Sequence, residues 1–283
     1  MPEGDTIFRT ARTLHRALAG NVVTKFETQF PSLARVDYDT PLAGRVVEAV
    51  ESSGKWVKMH FSGGLTLLTH MLMNGSWHIY RAGERWQRGR HQMRVAIQTK
   101  DFVAVAFQIQ IAEFHTADSL RRHRSVSRLG PDVLAEEFDA EQAAARLAEN
   151  PELEAGEALL KQSIVAGMGN VYKSEVCFAA GVNPFRRVGS VGAPQLTTIM
   201  TAARKFMLNN VDWGSGNQIV TYQGLRRTTG SSDPWDRLWV YGRTGQPCRR
   251  CGAAILSRKQ GLDARVTFWC PNCQPESQDS PSV

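Results

Sequence analysis

No apolar run in this chain of 283 residues approaches the roughly 18 that a membrane helix needs, so no spanning segment is expected. The N-terminus places Glu3 and Asp5 ahead of Arg9 and Arg12. That is not the basic-then-apolar order of a secretory leader, and a cytoplasmic protein is expected. Cysteine is scarce, five residues in all, and four of them (Cys248, Cys251, Cys270 and Cys273) crowd one C-terminal segment. Such crowding argues for a metal and against a disulfide framework. The fifth, Cys177, falls in a helical stretch and reads as a buried apolar residue. Acidic residues are outnumbered, 27 Asp and Glu against 34 Lys and Arg, for a net charge of +7. The excess suits a polyanionic partner, nucleic acid before an anionic membrane surface.

The length allows two domains with separate cores. Asp5 is placed to cap a helix from Thr6 to Ala19, with Ile7, Ala11, Leu14 and Leu18 on one stripe and Gly20 as the stop. From Asn21 to Phe114 the pattern changes to short β-like runs. Val46–Val50, Trp56–Phe61, Leu65–His70, Trp77–Tyr80, Met93–Gln98 and Phe102–Phe107 predict strands of a β-sandwich or barrel. Four arginines and a histidine then fall within Arg121–Arg128, followed by the breakers Gly130 and Pro131, and a domain boundary is expected over residues 119–131. Helical periodicity follows, over Asp139–Asn150, Gly156–Val165, Asn170–Ala180 and Ala193–Asn210. The Gly-, Ser- and Thr-rich stretch Asn210–Ser232 reads as a mobile loop, and the tail from Pro275 as disordered.

Two knuckles, Cys248-Arg-Arg-Cys251 and Cys270-Pro-Asn-Cys273, have the spacing that brings four thiolates to one tetrahedral Zn²⁺ across a β-hairpin. Iron or a redox dithiol pair is the competing reading. With all four positions taken, the metal is expected to be structural. Arg249, Arg250, Arg258, Lys259 and Arg265 make the finger basic, which suits a phosphate clamp or a merely solvated loop. The stretch Ala166-Gly-Met-Gly-Asn170-Val-Tyr-Lys-Ser-Glu175 sets a tight turn at a helix start, where backbone amides suit a phosphate. At the other end, a proline second in the chain allows removal of the initiator methionine. A mature Pro2 carries a free secondary amine, partly unprotonated near neutral pH and able to form an iminium with an electrophilic carbon. Glu3 beside it is placed to move protons.

With a Gly54-Lys55 pair at the start of a predicted strand, four features stand in one order: Pro2-Glu3, Gly54-Lys55, Gly167–Glu175 and Cys248–Cys273. In that order the chain resembles the formamidopyrimidine-DNA glycosylase and endonuclease VIII family over nearly its whole length. The resemblance implies an α+β multi-domain fold, with a catalytic β-sandwich and its N-terminal helix over 1–118 and a linker over 119–131. A helix–two-turns–helix domain over 132–237 and a zinc finger with its tail over 238–283 complete it. Pro2 then matches the nucleophile that attacks C1′ of a damaged nucleotide, Glu3 the acid/base that opens the sugar, and Lys55 a lysine on the phosphate beside the lesion. Asn170 and Arg265 match further phosphate contacts. His70 and Met73 match a loop that grips the backbone and fills the gap left by an everted base. Leu72 competes with Met73 for the wedge, and both His70 and Met73 also have plain structural readings.

Two departures narrow the reading. Thr6 stands where many relatives carry a second glutamate. The stretch Phe107–Glu113 lacks the Arg-Arg-Phe-Gly segment found in branches that excise 8-oxoguanine. The second, together with Pro2-Glu3-Gly4 at the start, favours the endonuclease VIII branch, acting on oxidised pyrimidines as a glycosylase and abasic-site lyase by β,δ-elimination, while the first keeps a non-cutting paralogue in play. Formamidopyrimidine-type specificity and a non-catalytic damage-binding paralogue are the alternatives. Damaged DNA is the expected partner, one structural zinc the expected metal, and a monomer the expected state.

Overall fold

A computed structural model of the protein describes residues 2–212, 226–229 and 236–276. Most of the stretch read as a mobile loop, residues 213–225 and 230–232, lies outside the described residues, as do residues 233–235, Met1 and residues 277–283 of the tail. The chain divides into two compact units between Arg128 and Leu129.

The first unit opens with α1 (Gly4–Leu18), whose buried face runs through Ile7, Ala11, Leu14 and Leu18. The expected cap is corrected: Glu3 is the N-cap residue, without a side-chain cap bond, and Asp5 lies inside the first turn. The reason is burial. Asp5 is fully enclosed, with the Thr6 hydroxyl donating to its carboxylate at 3.3 Å, so it does not turn back to the helix end.

Two four-stranded antiparallel sheets follow. One has the order β2 (Val47–Ser53), β3 (Trp56–Phe61), β4 (Leu65–His70) and β8 (Ile111–Thr116). The other has the order β1 (Lys25–Thr28), β6 (Met93–Gln98), β7 (Phe102–Phe107) and β5 (Ser76–Arg81). Alternate residues of each strand fill the space between the sheets: Val57, Met59 and Phe61 from β3, Ile97 from β6, Ala104 and Ala106 from β7. The α1 stripe joins that same core, so the helix is held rigidly from its first turn. A short helix α2 (Pro31–Asp39), with proline in its first turn, and the strands β1 and β8 had no distinct signal in the sequence. The arginine-rich stretch is also helical, as α3 (Ala117–Arg122) and α4 (Arg124–Ser127). Thr116 and Ser119 close α3 with a reciprocal capping box.

The second unit holds α5 (Ala140–Ala148), capped by the Asp139 carboxylate, then α6 (Ala155–Leu160), α7 (Asn170–Ala179) and α8 (Ala193–Asp212). A hairpin of β9 (Leu256–Gln260) and β10 (Arg265–Trp269) ends it. Phe178 of α7 packs with Val240, Ile255, Cys248 and Cys270, so helix and finger share one core. Among the described residues no helix is long and apolar enough to cross a membrane.

Candidate functional site

In the first unit Pro2 and Glu3 are both buried and lead directly into α1, where the Ile7 amide donates to the Glu3 carbonyl at 3.0 Å. The Glu3 side chain is fully enclosed, so its carboxyl is held in place and cannot drift with solvent. Lys55 sits at the tip of the β2–β3 hairpin. Ser53 pairs with Trp56, which leaves a two-residue turn, and Gly54 supplies the positive φ (58°) that such a turn requires.

His70 ends β4 opposite Trp56, with the two rings edge to face at 4.8 Å. Burial first, and then the Lys55 ammonium, push its pKa down to about 4. The ring is therefore neutral at pH 7. The Leu72 amide donates to its Nδ1 at 3.0 Å, which leaves the proton on Nε2 as a donor. The following loop is tightly specified. Leu72 adopts φ 48°, and a Cβ on Gly75 would lie 2.5 Å from the Met71 carbonyl oxygen. Met73 at the loop's outer edge is 52% exposed. An apolar side chain presented there is not a core methionine. The structure thus gathers Lys55, His70 and Met73 onto neighbouring turns of one unit.

In the second unit the two-turn loop is clamped by a residue that the sequence reading passed over. Gln162 accepts from the Gly167 amide and donates to the Leu160 and Met168 carbonyls, each at 3.0 Å. Gly167 takes φ 93°, a conformation open to glycine. Asn170 begins α7 and donates from Nδ2 to the Val266 carbonyl at 2.8 Å, which places it beside Arg265 on β10. Its Oδ1 is buried with no hydrogen-bond partner. Glu175, also without an assigned role in the sequence reading, is fully buried. It accepts from the Trp239, Val240 and Tyr241 amides at 2.9 Å each and from the Thr228 hydroxyl. This carboxylate fixes the strand of chain that leads into the finger.

The four cysteine sulfurs lie within 4.8 Å of one another, with Cys248–Cys273 at 3.9 Å and Cys251–Cys270 at 3.5 Å. Zinc–sulfur bonds of about 2.3 Å in a tetrahedron require sulfurs about 3.8 Å apart. The set fits one structural zinc. Several finger arginines have internal duties: Arg249 pairs with Asp236, Arg250 lies 4.5 Å from the Phe178 ring and Arg258 3.9 Å from that of Phe185. Cys177 is buried, and desolvation pushes its thiol up to about 12, so it is the inert residue expected.

A β-sandwich with a buried N-terminal Pro-Glu pair, joined in one chain to a two-turn helical motif and a four-cysteine finger, defines a multidomain protein of the DNA-glycosylase class. Comparison with known proteins agrees over nearly the whole chain. Residues 1–118 match the formamidopyrimidine-DNA glycosylase N-terminal domain, 129–221 the H2TH domain of the same enzymes, and 245–275 a zinc finger found in FPG and IleRS. The chain is 41% identical over 278 residues to a probable endonuclease 8 2 of Streptomyces coelicolor, covering 97% of this chain and 94% of that one. It is 37% identical over 277 residues to the DNA-(apurinic or apyrimidinic site) lyase Nei2 of Mycolicibacterium smegmatis, covering 98% and 100%. The Lactococcus lactis Fpg bound to N7-benzyl-Fapy-dG DNA superposes with a TM-score of 0.81 at 21% identity, over 97% of this chain and all of that one. The chain belongs to the formamidopyrimidine-DNA glycosylase and endonuclease VIII family.

Proposed function

We propose that this protein is a bifunctional DNA glycosylase and abasic-site lyase of base excision repair that removes oxidised pyrimidines. The observation that carries the reading is the placement of Pro2 and Glu3, both buried at the start of a helix locked into the core. Once Met1 is removed, the Pro2 secondary amine attacks C1′ and the damaged base leaves with the bonding pair. Glu3 protonates the ring oxygen, the sugar opens, and an iminium joins Pro2 to C1′. Loss of a C2′ proton expels the 3′ phosphate, and a second elimination expels the 5′ phosphate. Water then releases Pro2, leaving a one-nucleotide gap with phosphate ends. No redox cofactor enters.

Lys55 and the Nε2–H of His70 hold the phosphates beside the lesion, and Met73 occupies the space of the everted base. Asn170 and Arg265, neighbours in the second unit, grip the backbone. The zinc holds the finger that carries Arg265. The absence of arginine from Gln108–Gln110, the turn after β7, supports the pyrimidine reading over the 8-oxoguanine one. The names of relatives, endonuclease 8 and DNA-(apurinic or apyrimidinic site) lyase, support the strand-cleaving chemistry. The protein acts as a cytoplasmic monomer on damaged DNA.

Borohydride reduction of the iminium tests the chemistry. Protein with a free Pro2 is expected to form a covalent adduct on abasic DNA. The same protein with a blocked N-terminus should bind that DNA and form none. Normal binding without an adduct by the free form would overturn the proposal. A panel of oxidised bases, in which pyrimidines are cut faster than 8-oxoguanine, tests the specificity.

A further inference from the structure

The outer face of the β2–β3–β4–β8 sheet carries a second group of ligand-type side chains. Glu113 and His115 are two residues apart on β8, so they project from the same face, opposite the core residues Ala112 and Phe114. His123, at the junction of α3 and α4, reaches the same point. The Glu113 Oε2 lies 3.0 Å from the Nε2 of His115 and 3.2 Å from the Nε2 of His123, and the three ligand atoms fall within 4.8 Å of one another. Metal–nitrogen and metal–oxygen bonds of about 2.1 Å in a tetrahedron call for ligands about 3.4 Å apart, so these spacings suit a metal.

The hydrogen bonding around His115 strengthens the case. Ser119 Oγ accepts from the Thr116 amide at 2.9 Å, and its hydroxyl is 3.2 Å from the Thr116 carbonyl, to which it donates. Ser119 Oγ also lies 3.1 Å from His115 Nδ1 and holds that ring from behind, so Nε2 is kept turned toward the Glu113 carboxylate 3.0 Å away. This support of a ligating imidazole from behind is the arrangement that metal sites use. The Nδ1 of His123 is buried with no hydrogen-bond partner, so all the polar bonding of that ring runs through Nε2. The two imidazoles are largely covered (14% and 17% exposed side chains) while Glu113 is 46% exposed. A fourth ligand position therefore faces water.

We propose that Glu113, His115 and His123 form a second metal site of the protein, distinct from the four-cysteine finger and selective for a borderline divalent transition cation such as Zn²⁺, Ni²⁺ or Cu²⁺. Two imidazoles and one carboxylate disfavour Mg²⁺ and Ca²⁺, which take oxygen ligands. Filling the site staples the arginine-bearing α3–α4 segment to β8. It also fixes His123 against Trp56, whose ring lies 5.4 Å away and also packs edge to face with His70. The affinity is lower than that of the finger, because there are three protein ligands in place of four and His123 lacks support from behind.

Tag-free protein holding one zinc in the finger, dialysed against micromolar free Zn²⁺, tests the site by elemental analysis. The expected result is two zinc ions per chain for the wild type and one for both Glu113→Gln and His123→Gln. A wild type that stops at one zinc, or two variants that still hold two, overturns the proposal and leaves the cluster a proton-sharing ion pair. Should the variants misfold, paramagnetic resonance of Cu²⁺ added to the zinc-loaded wild type decides. Coupling to two imidazole nitrogens supports the site, and a signal without nitrogen coupling overturns it.

Discussion

His70 shows how one residue combines structure and function. Its ring stays neutral down to about pH 4 because burial and Lys55 disfavour a second positive charge, and the Leu72 amide on Nδ1 leaves the proton on Nε2. The same shift has a consequence for stability. Above pH 6.5 the ring is neutral in both folded and unfolded chains and contributes no pH dependence. Between pH 6.5 and about 4 the unfolded chain takes up a proton that the folded ring refuses, so stability falls as the pH drops. Urea denaturation should show that decline, and His70→Gln should make it shallower over the same window, His78 supplying part of what is left through its own pKa of about 4. An unchanged slope in the variant would mean that the ring is not shielded as described.

At the scale of elements, Glu175 joins α7 to the chain entering the finger through three amides and a hydroxyl. Glu175→Ala strands those donors in a buried place, and a loss of about 3 kcal/mol or more is expected in chemical unfolding. The finger should also surrender zinc to a chelator faster in that variant. The loop after β4 is a second test. Gly75→Ala drives a methyl into the Met71 carbonyl, at a cost of about 1–3 kcal/mol. Because Met73 rides on that loop, binding to lesion DNA should weaken more than binding to undamaged duplex. Equal weakening on both would show that Met73 reads nothing about the lesion. The main strands were legible because they are short, apolar-rich runs set off by Gly or polar turns: Trp56–Phe61, Leu65–His70, Met93–Gln98 and Phe102–Phe107 begin and end where those runs do. β1 is only four residues long, too short for a period to show. Asp5 misled as a cap because its sequence position suits that role, while the packed core encloses it instead.

For the whole molecule, the net charge of +7 predicts that DNA affinity falls steeply with salt. Each phosphate contact contributes about 0.9 to the slope of log affinity against log salt, so Arg265→Ala should lower that slope by about one. A weaker variant with an unaltered slope would assign Arg265 a structural duty instead. Removing the finger's zinc should abolish tight DNA binding while the β-sandwich, whose core contains none of the four cysteines, keeps its circular dichroism.

The sequence by itself determined the family, the metal-binding cysteines and the order of the chemistry-bearing motifs, because each is written in residues close together along the chain. Cys248 and Cys251 are three apart, Pro2 and Glu3 adjacent, Gly167 and Asn170 within one turn. What only the tertiary structure decided depends on partners far apart in sequence. Asn170 meets the Val266 carbonyl, Glu175 meets Val240, and His123 comes to Glu113 once α3 turns back on β8. No local pattern encodes such meetings, since they arise from the packing of whole elements against a common core. A side chain's neighbours, and hence whether His70 takes up a proton between pH 6.5 and about 4, exist only after that packing is complete.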